Sequence, residues 1–167
     1  FFAHKYPEMR YLAYFQAYTN TYDSLSALQR RYEEAPSVDG CLGIVIGTRP
    51  DCMPGDLLDY LQRLSEQTFV LVEYGVESTC DATLSRINRG HDYAVAVDAV
   101  TRTAERNIPV GVHMILGLPG ETRQDIMKQA SVLSKLPITT LKLHQLQLIR
   151  GTRMAREFEE VPSDFHL

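Results

Sequence analysis

The sequence predicts an α/β domain of parallel strands, either part of a (βα) barrel or an open doubly wound sheet. Two observations carry this. Five apolar runs begin at positions 11, 41, 69, 110 and 141, so successive starts lie 30, 28, 41 and 31 residues apart, the length of a strand, a helix and two connections. Between the runs the apolar residues take up a helical period, and strand and helix in alternation fold through right-handed crossovers into a parallel sheet. A closed eight-unit barrel takes about 250 residues, so 167 residues supply only part of one.

The strand candidates are YLAYF at 11–15, CLGIVI at 41–46, FVLVEY at 69–74, VGVHMIL at 110–116 and LKLHQLQLI at 141–149. Most are too continuously apolar for a wet face. After the first run, Leu25, Leu28, Tyr32 and Ala35 make one helical stripe. Leu57, Leu58, Leu61 and Leu64 make the next, and Pro54 suits its first turn. The long third step holds a short helical piece, TCDATLSRI, before NRGHDY; Ser78 and Asp81 have capping-box spacing, and Asp92 is placed to cap a helix running to Asn107. Thr122 and Asp125 repeat that spacing ahead of the stripe Ile126, Ala130, Leu133 and Leu136.

Composition narrows the function classes. At 44% hydrophobic the chain can bury one core, and one domain spanning 1–167 is expected. The net charge of −4 does not announce a polyanion partner, and QRR at 29–31 reads as a solvated helical face. RNA stays open as a partner without support from charge. No apolar run approaches the roughly 20 residues of a membrane span and no signal-peptide pattern is present, so a soluble cytoplasmic protein is expected. Cys41, Cys52 and Cys80 match neither a disulfide framework nor a Cys-x-x-Cys site, and no metal site is expected. The chain starts Phe1-Phe2-Ala3 without an initiator methionine and reads as a piece of something longer.

In either architecture ligands collect past the carboxyl ends of the strands. Those exits read QAYTNTY, GTRPD, GVES, GLPGET and RGT, each holding a glycine or a set of hydrogen-bonding side chains. His113 and His144 lie within consecutive strands and could line one cavity. A carboxylate on an inward strand position is costly unless partnered, so Glu73 is expected at a wet mouth or bonded to a partner such as Arg49 or a ligand. The fork of Arg89 suits a carboxylate or phosphate if it points into the mouth.

The ordered motifs YFQAYTNTY at 14–22, IGTRPDC at 46–52, VEYGVES at 72–78, INRGHDY at 87–93, ILGLPGET at 115–122 and LKLHQLQLIRGT at 141–152 span nearly the whole chain. Together they resemble the radical SAM superfamily, in the branch shared by oxygen-independent coproporphyrinogen oxidases and elongator-type enzymes, and within it the YhcC-like group. The resemblance implies a partial (βα) barrel with S-adenosylmethionine across its C-terminal mouth. By similarity, Glu77 contacts the ribose or methionine part, Arg89 the carboxylate, and His113 the ribose. Gly117 presents backbone near the adenine, and His144 and Gln147 border the pocket. Gln16, Thr19 and Asn20 approach the amino group, with Thr48 and Arg49 on the next exit.

One departure bears on activity. The family's Cys-x-x-x-Cys-x-x-Cys loop is absent, and Cys41, Cys52 and Cys80 lack its spacing. A [4Fe-4S] cluster needs converging thiolates, so the chain reads as a core-domain fragment without the first unit and cluster loop, inactive by itself. The full-length protein would then use the cluster, S-adenosylmethionine and an electron donor such as flavodoxin or ferredoxin to make a 5′-deoxyadenosyl radical, acting on an unknown substrate by RNA modification or small-molecule oxidoreduction. The rival readings are a (βα)-barrel lyase using Glu73, Glu77 and His113 as acid and base groups, and a non-catalytic nucleotide-binding module.

Overall fold

The structure, a computed structural model, describes residues 6 and 8–166. Five strands form one sheet: β1 (Tyr11–Phe15), β2 (Cys41–Thr48), β3 (Phe69–Glu77), β4 (Val110–Leu116) and β5 (Thr140–Gln145). All neighbours are parallel and lie in chain order, β1-β2-β3-β4-β5. A doubly wound sheet reverses direction partway. The unreversed order leaves the helices on one face and an open inner face on the other, so the molecule is a partial (βα) barrel.

The helices are α1 (Leu25–Glu34), α2 (Gly55–Ser65), α3 (Asp81–Arg86), α4 (Tyr93–Ala104), α5 (Arg123–Leu133) and α6 (Arg153–Glu160). Alternate strand residues point at them: Ile44 and Ile46 of β2, Val70, Val72, Tyr74 and Val76 of β3, and Val110, Val112 and Met114 of β4. These meet Leu28 and Tyr32 of α1, Leu57, Leu58, Leu61 and Leu64 of α2, and Ala96, Ala99 and Val100 of α4 in one buried cluster. Each large aliphatic side chain so buried contributes about 1.5–3 kcal/mol.

Several local expectations shift. β2 and β3 run on to Thr48 and Glu77, because pairing continues past the apolar residues through Gly47↔Glu73, Thr48↔Tyr74 and Glu77↔Met114. β5 stops at Gln145, and the apolar residues after it are outside the sheet. α4 ends at Ala104, short of Asn107. Asp92 caps it by accepting from Val95 N, and Thr122 with Asp125 forms the expected capping box on α5. Ser78 caps nothing: α3 starts after Cys80, and the Ser78 hydroxyl turns to Glu121. On α5, Ala130 is exposed and Gln129 takes the buried position, because its amide hydrogen-bonds Glu121 and Thr79 N.

Candidate functional site

The inner face carries the residues between the core-facing ones. Reading across the register, Gly47 of β2, Glu73 of β3, Gly111 of β4 and Thr140 of β5 make one row, and Gly75, His113 and Lys142 the next. Above them, toward the strand ends, a cavity of about 310 Å³ is lined by Tyr14, Gln16, Tyr18, Thr19, Gly47, Thr48, Arg49, Glu73, Gly75, Glu77, Arg89 and His113.

At the rim Glu77 faces Arg89. Glu77 ends β3 with φ +66 in the left-handed region, a conformation that costs a non-glycine residue of order 1 kcal/mol and is held by its surroundings. Arg89 follows α3, where the turn closes through Arg89 N donating to Leu84 O and Asn88 adopts φ +56. Gly75 opens the space they meet in: a Cβ there would fall 2.5 Å from Glu77 Oε1 and 2.7 Å from Arg89 Nη2. Arg89 Nη2 donates to Gly75 O at 2.6 Å and stands 3.5 Å from Glu77 Oε1. Its Nε is buried and has no hydrogen-bond partner among the described residues. Burial pushes the Glu77 carboxyl up against the pull of Arg89 and His144, and burial pushes the Arg89 guanidinium down against Glu77. Each charge is thus under-compensated, and most of the five guanidinium donors are unspent.

Deeper in, Glu73 is 8% exposed. Its partners are Tyr14 OH at 2.6 Å, His113 Nε2 at 2.9 Å and Lys142 Nζ at 3.2 Å, with Lys142 also donating to Tyr14 OH at 3.0 Å. Glu73 is thus partnered, as a carboxylate at this position requires, but Arg49, the partner the sequence suggested, is not among its donors. Its fork closes on Asp51 at 2.9 and 2.6 Å instead, two residues along the same exit. Burial raises the Glu73 carboxyl, but the bonds from Tyr14, His113 and Lys142 outweigh it and hold the group below its usual range. Burial lowers His113 despite the Glu73 bond, so at neutral pH it is a neutral imidazole donating from Nε2.

The structure therefore brings Gln16, Thr19, Thr48, Arg49, Glu77, Arg89 and His113 to one cavity. Thr48 is buried and its hydroxyl pairs with Thr21 at 2.6 Å, while Thr21 also donates to Cys52 O. Asn20 stands outside the lining and braces two exits, donating to Phe15 O and Gly47 O at 2.8 Å each. Gly117 is a buried turn glycine with φ +86 beyond β4. His144 is exposed, its ring 5.3 Å from that of His113, and Gln147 is exposed past the end of β5. Sequence reasoning missed Tyr14, Tyr18 and Lys142. It also missed the clamp between motifs, in which buried Glu121 accepts from Ser78 at 2.5 Å and Gln129 at 2.8 Å. The signal for Lys142 was the alternation of Lys142 and His144 with leucines in its run, whereas YLAYF carries no such alternation around Tyr14.

The comparisons with known proteins bear on family and fold. The family model for the radical SAM superfamily matches residues 4–131. The chain is 38% identical over 161 residues to YtqA of Bacillus subtilis, covering 96% of this chain and 50% of that protein. It is also 38% identical over 151 residues to YhcC of Escherichia coli K12, covering 90% of this chain and 49% of that one. Among solved structures, Elp3 of the archaeon Methanocaldococcus infernus matches in fold with a TM-score of 0.75 at 17% identity, covering 91% of this chain and 40% of that one. The chain spans about half the length of the curated relatives it matches. With most of its length matched by the family model and its half-barrel shared with a solved structure, it belongs to the radical SAM superfamily.

Proposed function

We propose that the rim cavity binds S-adenosylmethionine and that the chain, over 1–167, is the cofactor-holding part of a radical SAM core domain. The observation that carries this is Arg89: a guanidinium in the cavity wall whose charge meets Glu77 only at 3.5 Å. A planar carboxylate is the ligand group that such a fork takes in two parallel bonds. Glu77 then accepts from an amino or hydroxyl group, and Gly75 leaves the backbone open to a close approach. Gln16 and Thr19 offer hydrogen bonds to the amino end, and neutral His113 offers one to a ribose. Thr48 and Arg49 shape the wall through Thr21 and Asp51. Asn20, Gly117, His144 and Gln147 receive no contact role in this reading.

When bound and reductively cleaved, S-adenosylmethionine supplies a carbon radical able to abstract hydrogen from a substrate. The residues here fit its organic part and do not fit the [4Fe-4S] cluster. Among the described residues no three His, Cys, Asp or Glu side chains converge, and Cys41, Cys52 and Cys80 are free thiols on separate elements. The chain's own part in oxidoreduction is therefore to orient the cofactor and to wall off water, and these residues alone do not turn substrate over. Titration calorimetry with S-adenosylhomocysteine, which keeps the carboxylate and ribose, tests the reading. The wild type should bind and Arg89→Met should bind at least tenfold more weakly; equal affinities, or no binding by the wild type, contradict it.

A further inference from the structure

Barrel interiors are normally filled by branched side chains. Here the inner face around the middle of β3 is cleared for polar ones. Gly47 and Gly111 flank Glu73 in register. A Cβ on Gly111 would lie 2.8 Å from Glu73 Cγ and 2.6 Å from Thr140 Oγ1, and one on Gly47 would lie 3.3 Å from the Phe15 carbonyl oxygen.

The three donors to Glu73 all converge on one oxygen, Oε2. Oε1 accepts from no donor among the described residues, and it is not one of their sealed, partnerless atoms. It therefore remains an acceptor open to the cavity that Glu73 lines. Beside it, Lys142 has three N–H donors and spends two, on Tyr14 and Glu73, with its side chain 39% exposed. An unspent acceptor and an unspent donor thus stand together below the rim. A lone anion there would face Glu73 and a lone cation would face Lys142. A neutral group that donates and accepts at adjacent atoms satisfies both, and the exposed Tyr14 ring beside them favours a flat one.

We propose that this floor is a substrate subsite for an amide edge, an N–H beside a C=O as in a lactam or imide heterocycle. The N–H donates to Glu73 Oε1 and the C=O accepts from Lys142 Nζ. The assignment rests on the rim being the cofactor site, with the substrate edge held four residues further down β3.

Ligand-observed NMR with 1-methyluracil and 1,3-dimethyluracil tests it, since the second ring is the first without its N–H. The wild type should prefer 1-methyluracil roughly tenfold, the weight of a hydrogen bond to a charged acceptor. In Glu73→Gln the three convergent donors hold the amide oxygen at the Oε2 position, so an NH2 faces the cavity and the preference should vanish. Lys142→Met, at a half-exposed position, should weaken 1-methyluracil several-fold without unfolding. Arg89→Met should leave the preference intact, which separates a failure here from a failure of the cofactor reading. A uridine trinucleotide binding more tightly than 1-methyluracil supports RNA as the source of the edge, and equal binding supports a free heterocycle. Equal binding of the two rings by the wild type, a preference that survives in folded Glu73→Gln, or displacement by equimolar glycerol would overturn the proposal.

Discussion

Replacing Glu121 by alanine should unfasten two of the sequence motifs at once. Glu121 is 2% exposed and accepts from Ser78 Oγ and Gln129 Nε2, while Ser78 Oγ in turn accepts from Cys80 N and Gln129 Oε1 from Thr79 N. Removing the carboxylate deletes two hydrogen bonds worth about 1 kcal/mol each and leaves two buried donors unsatisfied at about 1–3 kcal/mol each, with partial relaxation returning some of this. Net of that relaxation the loss is about 3–5 kcal/mol, a large share of the roughly 5–15 kcal/mol that holds a typical domain together. Urea denaturation followed by circular dichroism measures it, and the melting midpoint should fall by about 10 °C. Glu121→Gln keeps the volume and one acceptor, so it should lose about half as much. A loss below 1 kcal/mol in the alanine variant would show that the exits of β3 and β4 are held by something other than this clamp.

The remaining predictions concern the cavity. Arg89→Lys keeps the charge but not the fork, so its affinity for S-adenosylhomocysteine should lie between wild type and Arg89→Met; calorimetric values for Lys and Met that coincide would remove the bidentate role. Gly75→Ala places a methyl 2.5 Å from Glu77 Oε1 and 2.7 Å from Arg89 Nη2. It should abolish that binding while costing about 1–3 kcal/mol of stability by overpacking, and retained affinity would refute the need for the gap. For pH, His113 is lowered by burial, so the unfolded chain takes up a proton before the folded one. Stability should therefore fall as pH drops from about 6.5 to the folded value. In His113→Gln that slope should flatten, as read from melting curves across this window; unchanged slopes would move the titration elsewhere. Glu77, raised by burial, acts in the opposite sense below its own folded value and is common to both proteins.

Much of this architecture was legible because each physical signal was local. Continuous apolar runs marked the strands, and period-3.6 stripes such as Leu57, Leu58, Leu61 and Leu64 marked the buried helix faces. Helix starts were readable where one side chain reaches a nearby amide, as at Asp92 and Thr122. Reading failed where the same residue could serve a distant partner. Ser78 has capping spacing yet bonds Glu121, a residue 43 positions away, and no local pattern ranks the two. Glu73 likewise met Tyr14, 59 positions earlier, and Lys142, 69 later, because strand register sets such neighbours. The sequential strand order decided between barrel and doubly wound sheet, and spacing alone allows both.

The account stands on Arg89 gripping the carboxylate of a cofactor laid across the strand ends. A crystal structure of the protein with S-adenosylmethionine measures this directly. The expected result is the carboxylate within hydrogen-bond distance of the Arg89 guanidinium, with the ribose toward His113; a cofactor bound elsewhere, out of reach of that guanidinium, would contradict it.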